Sequence, residues 1–122
     1  MTKCIRVDGQ ECWTLFDTRA RNTYVNRAVA KLLATKSMAW PVRTRLNDEV
    51  KETSRSAILN AEVEGHPVST HAFVVDQIET DSDDRSVEIL FGALAMKQWG
   101  IRPIPDENRL DLTNYPDVFV EY

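Results

Sequence analysis

The sequence predicts an all-β fold in one small domain spanning residues 1–122. Apolar residues come in short runs rather than in long stripes of helical period, and turn signals such as Asp8-Gly9 and Glu64-Gly65 separate them. A chain of 122 residues without a shift in composition suits one domain with one core.

The first element is a hairpin. Cys4-Ile5-Arg6-Val7 and Glu11-Cys12-Trp13-Thr14-Leu15-Phe16 flank Asp8-Gly9, a pair suited to a type I′ turn because both central residues need positive φ. The second strand runs straight into Asp17-Thr18-Arg19-Ala20. Tyr24-Val25 follows, then Asn26 as the N-cap of a two-turn helix whose Val29, Leu32 and Leu33 share one face. Trp40 to Leu46 reads as extended, and Pro41 assigns it an edge position because proline cannot donate a ladder hydrogen bond. Asn47-Asp48-Glu49 is a polar turn, so residues 42–54 form a projecting hairpin.

Residues 57–63 and 67–75 alternate around a turn at Glu64-Gly65-His66-Pro67. Thr80 to Arg85 is an acidic loop, and Val87 to Phe91 is a strand ending at Gly92. Ala93 to Trp99 is a short helix stopped by Gly100. Ile101–Ile104, Arg109–Leu112 and Val118–Val120 complete the strands.

Composition narrows the function classes. Apolar content of 43% with 28% charged residues is that of an ordinary soluble protein, and a net charge of −4 argues against non-specific nucleic-acid binding. No stretch approaches the roughly 18 apolar residues of a membrane span. The opening Met-Thr-Lys-Cys-Ile-Arg-Val regains charge too soon for a signal peptide, which points to the cytoplasm. Cys4 and Cys12 form no Cys-x-x-Cys pair and read as small buried side chains in a reducing compartment. Asp81, Asp83 and Asp84 lack the Gly and terminal Glu of an EF-hand, so they read as a solvated loop. No metal or other cofactor is expected. His66 in its turn and His71 on its strand read as structural, and Trp13, Trp40 and Trp99 as core or interface aromatics.

Two segments carry a resemblance. Trp13-Thr14-Leu15-Phe16-Asp17-Thr18-Arg19-Ala20, continuing to Thr23-Tyr24-Val25, resembles the hydrophobic strand and Asp-Thr-Gly-Ala turn of the retropepsin-like (retroviral-type) aspartic proteases. Ile89-Leu90-Phe91-Gly92-Ala93-Leu94 is similar to that family's hydrophobic-hydrophobic-Gly turn, which opens its C-terminal helix. The resemblance implies a small closed acid-protease barrel with a flap hairpin and one or two short helices, acting as a homodimer on a peptide or protein substrate. It implies catalysis by Asp17 from each subunit, with Thr18 hydrogen-bonding across the dimer axis. Arg19, Ala20, Asn47, Asp48, Phe91 and Gly92 are the implied substrate-binding residues. In viral members the termini interleave into an interface sheet, and the ending Val118-Phe119-Val120-Glu121-Tyr122 is compatible with that.

The chain departs from the family at Arg19, where the motif has Gly. It departs again at Arg21, where retroviral members carry an acidic residue paired with an Arg at the position of Ala93. A cation beside Asp17 favours the ionised carboxylate and opposes a shared proton. Two readings follow. One is an aspartic endopeptidase with Arg19 turned away from the cleft. The other is a catalytically silent homodimer, serving as a peptide-binding or interaction module. There Arg19 and Asp17 form a buried ion pair and Arg21 attracts an acidic group.

Overall fold

Seven strands form the main sheet of the computed structural model, which describes residues 1–121. In chain order the elements are β1 (Thr2–Val7), β2 (Gln10–Phe16), β3 (Tyr24–Val25), α1 (Arg27–Ala30), β4 (Thr35–Leu46), β5 (Glu49–Val63) and β6 (His66–Val74). Then follow β7 (Glu79–Thr80), β8 (Ser86–Val87), β9 (Ile89–Phe91), α2 (Ala93–Trp99), β10 (Arg102–Ile104), a 3₁₀ turn (Pro105–Glu107) and β11 (Arg109–Asp111). The sheet order is β1-β2-β9-β3-β6-β5-β4, and Arg6 of β1 pairs with Glu62 of β5. That pairing closes six strands into the expected barrel and leaves β4 at the edge, where Pro41 needs no partner.

Turn chemistry sets the register of the long hairpins. Asp8-Gly9 has φ of 50° and 76°, Asn47-Asp48 of 51° and 64°, and Glu64-Gly65 of 49° and 81°. All three are two-residue turns with both central residues left-handed, the form that matches strand twist. His66 and Pro67 therefore belong to β6 rather than to the turn. His66 packs edge-on against Tyr115 with ring centroids 4.7 Å apart.

The closed sheet encloses a core built on Ile5, Val7, Phe16, Val25, Val29, Leu59, Val63, Ile89 and Phe91. Along β5, Ala57, Leu59, Ala61 and Val63 point inward while Ile58, Asn60 and Glu62 stay exposed, the period-2 pattern of a half-buried strand. A second cluster gathers Tyr24, Leu46, Val75, Ile78, Val87 and Leu90 beneath the β4–β5 hairpin.

Several sequence expectations need correction. α1 is one turn, not two: the Asn26 side chain accepts from Val29 N–H at 3.0 Å, but Leu32 and Leu33 already bond three residues back and β4 begins at Thr35. The strand expected over 87–91 breaks at Glu88, whose Oε1 accepts the Trp13 backbone N–H at 2.9 Å. Residues 118–120 form no strand; Val118 and Val120 are exposed, while Phe119 packs edge-on against Trp99 at 5.2 Å. Tyr122, the last residue of that expected tail, lies outside the described residues. Trp40 is 79% exposed and belongs to no core, which leaves the interface half of its reading.

Cys4 faces Trp13 and is half-buried, whereas Cys12 faces Ile5 and is buried, so the two thiols lie on opposite faces of the hairpin. Burial, with smaller effects of Glu88 and Cys4, pushes the Cys12 thiol up to about 11. Among the described residues no helix is long and apolar enough to cross a membrane.

Candidate active site

The site begins where β2 ends. Strand β9 lies between β2, to which it is parallel, and β3, to which it is antiparallel, so a late strand separates two early ones. Asp17 is still tied to this arrangement, since its N–H donates to Phe91 O at 3.1 Å. The chain then turns: Ala20 N–H donates to Asp17 O at 3.2 Å, and Arg19 N–H donates to Asp17 Oδ1 at 2.9 Å. Asp17 thus organises its own turn, a local use of short acidic side chains.

The returning arm grips α2. Ala93 N–H donates to Ala20 O at 2.7 Å and Leu94 N–H to Arg21 O at 3.1 Å. These carbonyls satisfy helix-start donors that Gly92, without a side chain, cannot cap. A Cβ on Gly92 would stand 2.1 Å from Asn22 O and 2.8 Å from Arg21 O, so only glycine admits this approach. The buried Gly92 N–H donates to Thr23 Oγ1 at 3.1 Å.

Asp17, Thr18 and Arg19 line a cavity of about 520 Å³ together with Leu15, Asn47 and Glu79. Asn47 comes from the tip of the β4–β5 hairpin, so the structure brings the turn and that tip to one space. Asp48, the other tip residue, is exposed and does not line it. Ala20 packs against the Tyr24 cluster. Phe91 is fully buried, its ring centroid 5.3 Å from that of Phe16. Phe91 and Gly92, expected at the substrate, do not line this cavity: the Phe91 side chain packs into the barrel core, and Gly92 lies against the Asn22 carbonyl. A larger hollow of about 720 Å³ at Arg6, Asp8 and Trp99 holds none of these residues, so size does not identify the site.

Arg19 Nε lies 3.6 Å from Asp17 Oδ1, with the arginine side chain 93% exposed and that of Asp17 21%. In the single chain this contact is at the surface, where such pairs contribute only about 0–1 kcal/mol, and the burial expected of it belongs to the homodimer. Arg19 is not among the residues of positive φ, so its backbone has no need of glycine.

Sequence reasoning missed two residues here. Asp81, read as part of a solvated loop, accepts hydrogen bonds from Trp13 Nε1–H at 2.7 Å and from the backbone N–H groups of Asp83 and Arg85, each at 2.9 Å. These bonds, led by the Arg85 N–H, hold its carboxyl below the usual range. Arg85 stacks over the Trp13 ring, 3.9 Å from its centroid. Glu79 was not singled out at all; its one trace is the apolar Ile78 before it, which anchors β7 in the second cluster. Among the described residues no group of three or more His, Cys, Asp or Glu side chains is arranged to hold a metal ion.

A barrel with a late strand between two early ones, and an Asp-Thr turn fastened to a Gly-Ala helix start, defines a retropepsin-like fold. Solved structures agree. The chain is similar to the retroviral protease-like domain of Ddi1 from Leishmania major, with a TM-score of 0.62 and 12% identity over 93% of this chain and 88% of that one. It is similar to simian foamy virus (mac) protease, with a TM-score of 0.54 and 13% identity over 85% of this chain and 100% of that one. A third likeness is to the foamy viral protease-reverse transcriptase solved with an RNA/DNA hybrid, with a TM-score of 0.57 and 15% identity over 85% of this chain. The chain spans 12% of the length of that last protein. At these identities the likeness is one of fold. No protein-family model and no curated protein sequence matches the chain.

Proposed function

We propose that the chain is an aspartic-endopeptidase-type domain that works as a homodimer on extended peptides, in the cytoplasm. The observation that carries this reading is the shared cavity of Asp17 and the hairpin tip residue Asn47. Peptide hydrolysis by carboxylates needs one group to take a proton from water and another to give one to the scissile carbonyl. One Asp17 cannot do both. Two copies side by side cannot both ionise easily, so they share a proton and titrate as a pair. Thr18, exposed beside Asp17, then holds the two turns together across the axis. The β4–β5 hairpin closes as a flap, with Asn47 and Asp48 at its tip, and excludes water from the bond being cut.

The 3.6 Å contact of Arg19 with Asp17 favours a second reading, a homodimer that binds peptides without cutting them. Incubation with a mixed peptide library from acidic to neutral pH, followed by mass spectrometry, separates the two. New termini that vanish in Asp17→Asn establish the endopeptidase. Cleavage that emerges only in Arg19→Gly establishes the silent module. Cleavage in neither, with no peptide retained, removes both readings.

A further inference from the structure

Charge pairing around the Asp17 cavity leaves one carboxylate over. Beside that cavity lies a second, of about 300 Å³, and the two share Asn47 and Glu79. The second holds Glu49, Lys51 and Asp76. Arg19 lies against Asp17 at 3.6 Å, Lys51 against Glu49 at 3.7 Å, and Arg27 against Asp76 at 2.7 Å. Among the described residues Glu79 alone of these four carboxylates has no ion pair, and its side chain makes no hydrogen bond.

Glu79 is also half-buried and held in place. Ile78 before it is buried in the second cluster, and Thr80 after it pairs with Ser86. The next residue, Asp81, is fixed by three hydrogen bonds, one of them from Trp13 of β2. A half-buried, positioned carboxylate without a partner attracts a cation that completes its hydrogen bonds.

We propose that Glu79 selects substrates bearing a lysine or arginine side chain close to the bond that lies over Asp17. This rests on the peptide-binding reading above and names its substrate class. The cationic side chain enters between Asn47 and Glu79, where the two cavities meet. The cations already there are engaged by their own acids, so they do not repel it strongly.

The test measures binding of fluorescein-labelled decapeptides by anisotropy, with a hydroxyethylene isostere in place of the central bond so that the unaltered protein cuts none of them and Arg19 stays against Asp17. The peptides are identical except for one residue beside the central bond: Lys, Arg, Gln or Glu. The expected result is about tenfold tighter binding of the Lys and Arg peptides than of the Gln peptide. Adding Glu79→Gln levels that preference without weakening the Gln peptide, and adding Glu79→Lys turns it toward Glu. Equal binding of all four peptides overturns the inference and leaves the peptide-binding reading standing. A preference that survives Glu79→Gln overturns it too, since another residue then selects. Binding of no peptide overturns both. The peptide series without any change at Glu79 already decides the first outcome, so the test does not depend on the variants folding.

Discussion

Residues 17–20 and residues 91–94 are the two halves of one structure, yet they treat their motif glycines differently. At Gly92 the fold itself demands glycine, because two backbone segments pass so closely that any Cβ meets the Asn22 carbonyl. At Arg19 the fold demands nothing: the backbone is not left-handed and the side chain is 93% exposed. A glycine that the chain's own packing requires differs from one that the motif carries and this backbone does not need, and the barrel forms without the second.

The sharpest way to break this comparison is Gly92→Ala. With a Cβ at 2.1 Å from a backbone oxygen, it should destabilise by about 3–5 kcal/mol, read as loss of the folded baseline in urea unfolding. A folded Gly92→Ala protein of unchanged midpoint would erase the distinction. Thr23→Val comes next. It leaves the buried Gly92 N–H without an acceptor and should cost about 1–3 kcal/mol in the same measurement.

Arg19→Ala and Asp17→Asn should each move stability by only about 0.5 kcal/mol, since their contact is long and solvent-exposed. A larger loss in either would mean that the Asp17 turn is structural after all. The smallest effect is a control outside both halves. Asp111 is held down to about 2, first by the Thr113 hydroxyl and then by the Thr113 N–H and Arg102. A depressed carboxyl contributes stability that is whole above its usual 3.8 and lost as pH falls toward about 2. Urea midpoints between pH 4 and about 2 should decline less in Asp111→Asn than in the parent, and Arg19→Ala should leave that slope alone.

Much of this was legible from local chemistry. Asp8-Gly9, Asn47-Asp48, Gly92 and Gly100 mark turns or helix ends through backbone preferences that act within a few residues, and each was read where it stands. The motif order sufficed for the closed barrel. Non-local features stayed hidden. The periodicity of residues 27–33 does not reveal that β4 starts at Thr35 and cuts α1 to one turn. Phe91 reads as a cleft residue until its ring is seen in the barrel core against Phe16. Asp81 and Glu79 look like two acids in a polar stretch. Only the packing of Trp13 and Ile78 shows that one anchors the loop and the other, without an ion pair among the described residues, lines a cavity.

The insertion of β9 also sets a schedule. Trp13 and Glu88, bonded to each other, are 75 positions apart, and Asp17 donates to the carbonyl of Phe91. On a ribosome the Asp-Thr sequence emerges early, but its turn has no second half until residue 91 has left the exit tunnel. Pairings across such sequence distances are slow to form, and a nascent barrel waits with open edges. A product cut short before β9 therefore carries the motif without the site. Emergence of β9 is itself the step that assembles it.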